Sequence, residues 1–390
     1  MRDKHSISII GGNARNKGAL LMLNHSLDLI SSKTYQKIYI FTPFPNEDTS
    51  FICNNLKTNN LSVEIIKWST IEILKSLFLI LFPIKKNSIL NSLKDSKVTL
   101  DISGIAFVED RGLKYLIYNS LTILIPYYCK SRIIKLPQSI GPIQSNYYKK
   151  IASLFLGKCS SIYSRGDHSS EVLKNLNLDF IPSSDLGFLE DADLSEPKTN
   201  IYRIGISPSI VIKKYFVEKN LDYESFLINL INDISKLGYK LILFPQSYST
   251  NSEKGIFDDS SIINNIAPKI KRDNIEIINQ DLSLEELKNI YSTLDVCITS
   301  RFHGVVMAIN SNVYPIVIGW NHKYHELLMS LELENSSINI EKNISFEIIS
   351  RLKILQNNYS HEIKKLFMNR GKISEEMKNI KKDILIKIME

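Results

Sequence analysis

Short apolar segments alternate with helical segments along almost the whole chain, and this alternation constrains the fold more than any other feature. In the first half the predicted strands are Ser6–Ile10, Lys37–Thr42, Ser62–Lys67, Val98–Ile102, Ser131–Leu136 and Ser160–Tyr163. Segments with helical or loop character lie between them. Parallel strands need crossover connections and helices supply them, so the pattern predicts a doubly wound parallel sheet.

The pattern stops at a polar segment and then begins again. Residues 190–200 (EDADLSEPKTN) lose periodicity and contain a proline, which is typical of a linker between domains. The elements predicted beyond it are strands at Tyr202–Ser207, Lys240–Phe244, Ile275–Ile278, Val296–Thr299 and Tyr314–Ile318, and helices at Tyr223–Leu237, Leu284–Ser292 and Val305–Asn310. We therefore expect an α/β protein with two Rossmann-like domains, residues 1–195 and 196–345, whose parallel sheets face a cleft. Residues 346–390 are expected to form C-terminal helices that pack back on both domains.

Composition places the chain among globular proteins. Its 390 residues are 44% hydrophobic and 23% charged, which suffices for two domains with separate cores. The net charge is +7, but the basic residues are scattered as single lysines or lysine pairs, which argues against nucleic-acid binding and favours an enzyme with anionic ligands. The cysteines (Cys53, Cys129, Cys159 and Cys297) lie far apart, and no signal-peptide pattern precedes the first strand. These features predict a cytoplasmic protein with reduced thiols.

Two apolar stretches, Ile71–Ile84 and Tyr115–Tyr128, are candidates for contact with a membrane. Each is shorter than the ~20 apolar residues that a spanning helix needs. Buried helices are the simpler interpretation of both. The alternative is a peripheral contact with the inner face of the cell membrane.

The first polar turn, GGNARNKG at residues 11–18, lies between a predicted strand and a predicted helix. Its candidate ligand-binding residues are Asn13, Asn16 and Gly18. Glycine allows a ligand to approach the backbone, and a helix N-terminus favours an anion, so an anion loop is one interpretation. A plain glycine turn is the other.

Two further turns follow strands at the carboxyl edge of the first predicted sheet, where ligands of open α/β sheets collect. LPQSIGPI at residues 136–143 presents Gln138 and Ser139, and YSRGDHSS at residues 163–170 places Arg165 at a strand end. A guanidinium there can fork onto a carboxylate or phosphate. The alternatives are a tight loop for the former turn and an arginine–aspartate pair at a helix cap for the latter.

CITSRFHGV at residues 297–305 is the most specific motif of the chain. A strand ends in Ser-Arg, and His303 and Gly304 open an apolar helix. Arg301 and His303 at a helix N-terminus offer an anion clamp beside a group that titrates near neutral pH. A lone histidine is more often a packed core residue, but the neighbouring arginine favours a functional role.

The segment IGWNHKYHE at residues 318–326 follows the next strand and adds a cation, Lys323. His322, His325 and Glu326 bring metal-ligand side chains together. Their spacing matches no metal motif, so we expect no metal site.

Together these motifs resemble the polysaccharide pyruvyl transferases. The resemblance rests on six elements in order across most of the chain: Asn16-Lys17-Gly18-Ala19, Pro137-Gln138-Ser139-Ile140-Gly141-Pro142, Ser164-Arg165-x-Asp167, Asp185-Leu186-Gly187-Phe188, Ser300-Arg301-Phe302-His303-Gly304 and Lys323. The chain departs from the family pattern in the middle of the first domain. Where many members have a glycine-rich or acidic loop, residues 101–107 are DISGIAF, with acids following at Glu109 and Asp110.

The resemblance implies a glycosyltransferase-B-like fold and a reaction that moves an enolpyruvyl unit from phosphoenolpyruvate onto a sugar as a ketal, with release of phosphate. It implies that Arg165, Arg301 and Lys323 bind phosphoenolpyruvate with Gly304, and that His303 and Arg301 form the catalytic turn. A trianionic donor needs several fixed cations, which fits these residue types. No cofactor is implied beyond the donor substrate. The second domain would hold the donor, and the first would hold a saccharide acceptor of a surface or extracellular polysaccharide or its precursor, lipid-linked or free.

Two alternatives remain at this level. A nucleotide-sugar glycosyltransferase of the same architecture would use the same cations to bind a diphosphate. A non-catalytic carbohydrate-binding or scaffold protein at the inner membrane face would use residues 71–84 as its contact. Retention of all the predicted site cations argues against a scaffold.

Overall fold

The computed structural model describes residues 6–31, 35, 37–46, 48–49, 62–82, 87–190, 198–248, 258–271, 274–319 and 322–390. The chain divides into two compact units. The first unit comprises Met1–Ala14, Ala19–Leu189 and Glu376–Glu390, and the second comprises Arg15–Gly18 and Glu190–Glu375. The division falls after Leu189, near the linker predicted at residues 190–200, of which residues 191–197 lie outside the described part.

The first unit is built on a parallel sheet with eight described strands in the order β3-β2-β1-β4-β6-β7-β8, with β5 paired to β6. The strands are β1 (Ser6–Ile10), β2 (Lys37–Thr42), β3 (Ser62–Lys67), β4 (Ser96–Asp101), β5 (Ile105–Ala106), β6 (Arg132–Ile140), β7 (Ser161–Arg165) and β8 (Ile181–Ser183). The helices are α1 (Lys17–Ser31), α2 (Thr70–Leu81), α3 (Ser88–Asp95), α4 (Leu113–Tyr128), α5 (Asn146–Leu156) and α6 (Gly166–Asn175). Helix α1 begins among residues that belong to the second unit and continues in the first.

Two apolar clusters of the first unit account for the burial of its sheet. One joins α4, α5 and α6 to the sheet through residues such as Leu116, Ile123 and Tyr148. The other joins α2, α3 and α4 to β2 and β3 and contains Phe41 and Trp68. Burial on both faces is why the central strands are nearly continuous apolar runs.

The second unit is built on a parallel sheet with six described strands in the order β11-β10-β9-β12-β13-β14. The strands are β9 (Arg203–Ser207), β10 (Lys240–Leu243), β11 (Ile275–Ile277), β12 (Val296–Thr299), β13 (Tyr314–Ile318) and β14 (Ser337–Ile338). The helices are α7 (Lys213–Glu218), α8 (Tyr223–Ser235), α9 (Ser260–Ile266), α10 (Leu284–Thr293), α11 (Phe302–Asn310), α12 (His322–Ser330) and α13 (Ile344–Met389). Side chains cap several of these helices: Ser283 and Glu286 form a reciprocal capping box at the start of α10.

These sheets confirm the predicted α/β fold class, and the bounds of β2, β3, β12 and β13 are those predicted. The C-terminal region, expected as several helices, is a single helix of 46 residues. Its residues from Glu376 onward belong to the first unit.

The end of β6 corrects the sequence prediction. The strand was expected to stop at Leu136 and to release a loop, but it continues to Ile140. Its register against β7 skips between Lys135 and Gln138, so Pro137 lies at an irregularity where no backbone N–H is required. Gln138 and Ser139 are therefore strand residues.

Candidate active site

The strand order of the second sheet marks one position as its natural ligand site. Strand numbers rise outward on both sides, from β9 to β11 in one direction and from β12 to β14 in the other, so the chain changes direction between the adjacent strands β9 and β12. Ligands of open parallel sheets bind beyond the carboxyl ends of the strands at such a switch point. β9 ends at Ser207 and β12 ends at Thr299, which pair with each other. Ser300 and Arg301 therefore leave the sheet at this position.

Arg301 is held by an aspartate that the sequence analysis did not single out. Its Nε donates to Asp259 Oδ2 at 3.0 Å, and its Nη2 donates to Asp259 Oδ1 at 2.5 Å. The backbone N–H of Ile210, just beyond β9, also donates to Asp259 Oδ1 at 2.9 Å. The pair thus connects the segments that follow the two switch-point strands.

The Arg301–Asp259 pair leaves part of the guanidinium for a ligand. Burial raises the pKa of Asp259 above its usual value, and the adjacent Arg301 opposes that shift. An arginine side chain carries five N–H donors. The bonds to Asp259 use two of them, one on Nε and one on Nη2. Three donors on Nη1 and Nη2 remain, in a fork that fits a carboxylate or phosphate. The Arg301 side chain is 14% exposed, whereas Asp259 is fully buried.

Backbone geometry fixes the direction of this turn. Arg301 is the N-cap residue of α11, with extended φ and ψ angles, and its N–H donates to Thr299 Oγ1 at 3.1 Å. Gly304 lies in the first helical turn, where an added Cβ would be 2.8 Å from Thr299 Oγ1. Only glycine fits there, so the helix N-terminus and its N–H groups come close to the strand ends.

His303 is packed against Gly18. A Cβ built on Gly18 would be 2.1 Å from His303 Nδ1, so a larger residue would displace the imidazole. Residues Arg15–Gly18 belong to the second unit, and Ser247 holds them there by donating from Oγ to the carbonyl of Arg15 at 3.1 Å. The predicted glycine turn thus holds the imidazole of His303, the catalytic candidate, in position.

The same turn carries an asparagine and a lysine whose polar groups have structural partners. Asn16 Oδ1 accepts a hydrogen bond from the Gly18 N–H at 3.0 Å, which caps the start of α1. Asn16 also forms a backbone bridge with Ser247. Lys17 is buried, and its Nζ donates to Asp281 Oδ1 at 2.5 Å.

Lys323 lies near the same turn. Its Nζ is 5.1 Å from the ring centre of Phe302 and 5.3 Å from that of Tyr324. The Tyr324 hydroxyl donates to the Ser300 carbonyl at 2.7 Å, which ties the start of α12 to the end of β12. The second unit therefore brings together five predicted site residues: Asn16, Gly18, Arg301, His303 and Gly304, with Lys323 adjacent.

A cavity of about 570 Å³ adjoins this turn through Tyr324. Its other lining residues include Glu218, His325 and Glu341. Its two carboxylates outnumber its one lysine, Lys219, so the cavity is less suited to a trianion such as phosphoenolpyruvate than the cationic turn. Its hydroxyl, amide and carboxylate groups suit a neutral ligand rich in hydroxyl groups.

The remaining predicted residues lie in the first unit. Arg165 caps the start of α6 and forms a buried ion pair with Asp185, which also accepts from the Gly187 N–H at 2.8 Å. Gln138 is fully buried; its Nε2 donates to the carbonyl of Asp101 at 3.0 Å, and its Oε1 is buried without a partner in the described part of the chain.

The other polar candidates of the first unit lie near the carboxyl ends of its strands, and the switch point of this sheet is between β1 and β4. Ser139 is buried, 3.4 Å from the Ser169 hydroxyl, and Asn13 lies half-buried just beyond β1. A buried pair that the sequence did not predict joins Asp101, at the end of β4, to Lys135 within β6. Burial alone would raise the pKa of Asp101, but Lys135 and the hydrogen bonds from Ser103 outweigh it, and the pKa lies below its usual value.

Neither a metal cluster nor a spanning helix appears among the described residues. Groups of three or more potential ligands placed to hold an ion are absent there, and the side chain of His322 lies outside the described part. Across the described ranges, no helix is long and apolar enough to cross a bilayer.

A match to a family model decides the identity of the chain. The model for polysaccharide pyruvyl transferases matches residues 16–322, which includes the whole Arg301 turn and stops just before Lys323. The chain belongs to the polysaccharide pyruvyl transferase family. The predicted resemblance is confirmed, and membership assigns this transferase to the modification of polysaccharides. The amylovoran biosynthesis protein AmsJ of Erwinia amylovora is 21% identical over 288 residues, 69% of this chain and 68% of that protein.

Solved structures share the fold of this family member. A putative UDP-N-acetylglucosamine 2-epimerase from Listeria monocytogenes matches with a TM-score of 0.61 and 13% identity, covering 97% of this chain and 95% of that one. A glycosyltransferase from Rickettsia africae matches with a TM-score of 0.56 and 11% identity, covering 100% and 99%. At such identities the likeness shows the fold alone, and it confirms the glycosyltransferase-B-like architecture of the transferase.

Proposed function

We propose that this chain transfers the enolpyruvyl unit of phosphoenolpyruvate to a saccharide as a pyruvate ketal and releases phosphate. The observation that carries the proposal is the Arg301 turn: a guanidinium fork anchored by Asp259 at the switch point of a parallel sheet, next to His303 at a helix N-terminus. Membership of the polysaccharide pyruvyl transferase family supports this proposal. Lys323 and the N–H groups of α11 add positive charge for a donor with three negative charges.

The balance of the reaction determines which bonds change. Both ketal oxygens come from the sugar, so C2 of the donor must lose its bridging oxygen, and the C2–O bond breaks with release of phosphate. One hydroxyl proton is needed at C3, which becomes the methyl group, and the other leaves on phosphate. The chemistry therefore needs a group that moves protons, and His303 is the candidate. Positive charge at Arg301 stabilises the departing phosphate.

His303 suits this role because its position is fixed by contact. Gly18 packs on the imidazole face, and the Phe302 ring lies edge-on at 5.4 Å between centres. A catalytic group held in place before the reaction loses little orientation entropy in the transition state. Arg165, Gln138 and Ser139 of the first unit are proposed to serve the donor or acceptor from their own sheet edge, with Asn13.

The acceptor is proposed to be a saccharide of a surface or extracellular polysaccharide or of its precursor. The relative AmsJ is named for biosynthesis of one such polymer, amylovoran. The cavity lined by Glu218, His325 and Glu341 offers acceptors and donors for sugar hydroxyls beside the Arg301 turn. No cofactor or metal is needed, since the leaving phosphate provides the driving force.

Thermal unfolding with added ligands tests the proposal. Phosphoenolpyruvate is expected to raise the melting temperature, because a ligand that binds only the folded state stabilises it by mass action. Inorganic phosphate and pyruvate serve as fragment controls with smaller shifts. Stabilisation by UDP-sugars alone would replace the proposal with a nucleotide-sugar glycosyltransferase of the same architecture.

A further inference from the structure

Helix α2 of the first unit is apolar on the side that faces solvent. Ile73 packs into the core, and Leu77, Leu79 and Ile80 pack against it, as expected for a helix of this fold. The opposite side carries a second row of apolar side chains, which we call the α2 face: Ile71 (65% exposed), Leu74 (49%), Phe78 (54%), Leu81 (63%) and Phe82 (53%). Spacings of three and four residues place the first four on one side of the helix.

A row of large apolar side chains is unfavourable when it is exposed to water. Surface helices of globular proteins are normally polar on the side away from the core. The charged residues of α2 are Glu72 and Lys75, and they bond to each other at 2.8 Å. Isolated exposed apolar residues need no explanation, but a continuous row of large ones marks an interaction surface.

The neighbouring helix α4 extends this surface. It packs beside α2, and it exposes Leu113 (59%) and Ile117 (47%) near its start. At its end Tyr127 and Tyr128 are about half exposed. Tyrosine is enriched where one side of a ring is apolar and the other is wet, as at the boundary of a lipid bilayer.

The charges around these helices indicate which partner fits. Lys114 is the one charged residue within α4, Lys130 is exposed just beyond it, and the Nζ of Lys158 lies 4.4 Å from the Tyr127 ring centre. Glu109 and Asp110 before α4 balance Arg111 and Lys114, whereas Lys130, Arg132 and Lys158 give the end of the helix, beside Tyr127 and Tyr128, an excess of positive charge. Apolar side chains flanked by lysines and tyrosines match an anionic bilayer surface, whose headgroups attract cations and whose acyl boundary accepts apolar groups.

We propose that the α2 face, together with the exposed residues of α4, docks the first unit on an anionic lipid bilayer. The 12 residues of α2 span ~18 Å, too short to cross the ~30 Å hydrocarbon core, so the helix lies along the surface. Docking does not depend on the reaction proposed above. It would bring the transferase to acceptors that are themselves attached to lipid.

Vesicle flotation with the full chain tests this proposal. Wild-type protein is expected to float with vesicles of phosphatidylcholine mixed with phosphatidylglycerol, and more weakly with phosphatidylcholine alone. The variant Phe78→Gln/Leu81→Gln should lower the bound fraction roughly tenfold or more, since two side chains that enter the acyl boundary are lost. Lys114→Gln/Lys158→Gln should lower binding to the mixed vesicles and leave binding to pure phosphatidylcholine unchanged.

A matched control uses apolar residues exposed elsewhere. Phe346 (74%) and Ile354 (54%) lie on α13 in the second unit, and Phe346→Gln/Ile354→Gln should float like the wild type. Equal flotation of the α2 variant and the wild type would overturn the proposal, as would a wild type that stays unbound. Light scattering tests the alternative that the α2 face binds a second copy of the chain. A wild-type dimer that becomes monomeric in Phe78→Gln/Leu81→Gln would also overturn the proposal. Unchanged melting temperatures confirm that each variant is folded.

Discussion

The two units place an arginine at the same point of the same local structure and use it differently. In the first unit β7 ends in Arg165, which caps α6; in the second unit β12 leads to Arg301, which caps α11. Both have extended backbone angles, and each binds a buried aspartate, Asp185 or Asp259. The motif of strand, arginine and helix is thus repeated with its counter-ion.

The two arginines present different atoms to their aspartates. Arg165 uses Nη1, at the tip of the side chain, to bind Asp185. Arg301 uses Nε and Nη2 and keeps Nη1 for a ligand. The second turn continues into His303, two residues after Arg301, and Gly18 packs against its imidazole. We therefore propose that the Arg301 turn binds the donor directly, whereas Arg165 makes a smaller contribution from the edge of the first sheet.

The largest effect is expected when the two arginines are exchanged for lysine. Arg301→Lys keeps the charge, but a lysine ammonium lacks the planar guanidinium that can pair with Asp259 and with a ligand at the same time. Phosphate release from phosphoenolpyruvate should therefore fall roughly 10²–10³-fold. Arg165→Lys should lower the melting temperature and reduce turnover by less than about tenfold. Steady-state phosphate release in the presence of acceptor measures both. Equal losses of turnover would remove the distinction between the two turns.

Gly18→Ala addresses the support of His303. The new methyl group would lie 2.1 Å from Nδ1, so the imidazole must move and turnover should fall on the order of 10²-fold while the chain stays folded. Gly371→Ala is the matched control, because its Cβ meets nothing within 4 Å and lies within α13. That variant should be fully active and more stable by up to ~1 kcal/mol. Full activity of Gly18→Ala would show that the position of His303 is not critical.

Asp259→Asn and Asp185→Asn compare the counter-ions. Each substitution leaves a buried guanidinium without its charge partner, which typically costs about 3–5 kcal/mol of unfolding free energy. We expect similar losses in urea unfolding for both. Only Asp259→Asn should also weaken binding of phosphoenolpyruvate, because Asp259 orients the fork of Arg301. A variant of Asp185 that weakens donor binding equally would place Arg165 in the donor site.

The smallest effect concerns pH and the Lys135–Asp101 pair. The pKa of Asp101 is lowered on folding, so its charged form stabilises the protein above the ordinary pKa of ~3.9, and this contribution is lost as the pH falls through the folded-state value. The difference in melting temperature between the wild type and Asp101→Asn should be full near pH 6 and shrink below about pH 4. A difference that stays constant down to pH 3 would contradict this assignment.

Much of the fold was predictable from the chain because buried parallel strands are apolar runs separated by helices. Lys37–Thr42 and Tyr314–Ile318 show this pattern and have their predicted bounds. Strands β5 and β14 could not be predicted, because each has two residues and so short a segment shows no periodic pattern. The continuation of β6 beyond Pro137 depends on a register irregularity against β7, which only the neighbouring strand determines.

The site was predictable only where its residues are adjacent in sequence. Arg301, His303 and Gly304 form one motif, whereas Gly18 and Lys323 were noted in separate polar turns that only the family pattern linked to it. Asp259 lies 42 positions before Arg301 and looks like an ordinary helix cap in sequence. Its role comes from the crossing of two connections at the switch point, which tertiary structure alone brings together.

Calorimetric titration of phosphoenolpyruvate into the wild type, Arg301→Ala and His303→Ala tests whether Arg301 holds the donor and His303 acts in turnover. Arg301→Ala is expected to lose donor affinity by roughly 10²-fold or more, because the charged fork is gone. His303→Ala should bind phosphoenolpyruvate about as the wild type does while phosphate release falls at least roughly 10²-fold. Unchanged affinity in Arg301→Ala would contradict the account, because the donor would then be held elsewhere.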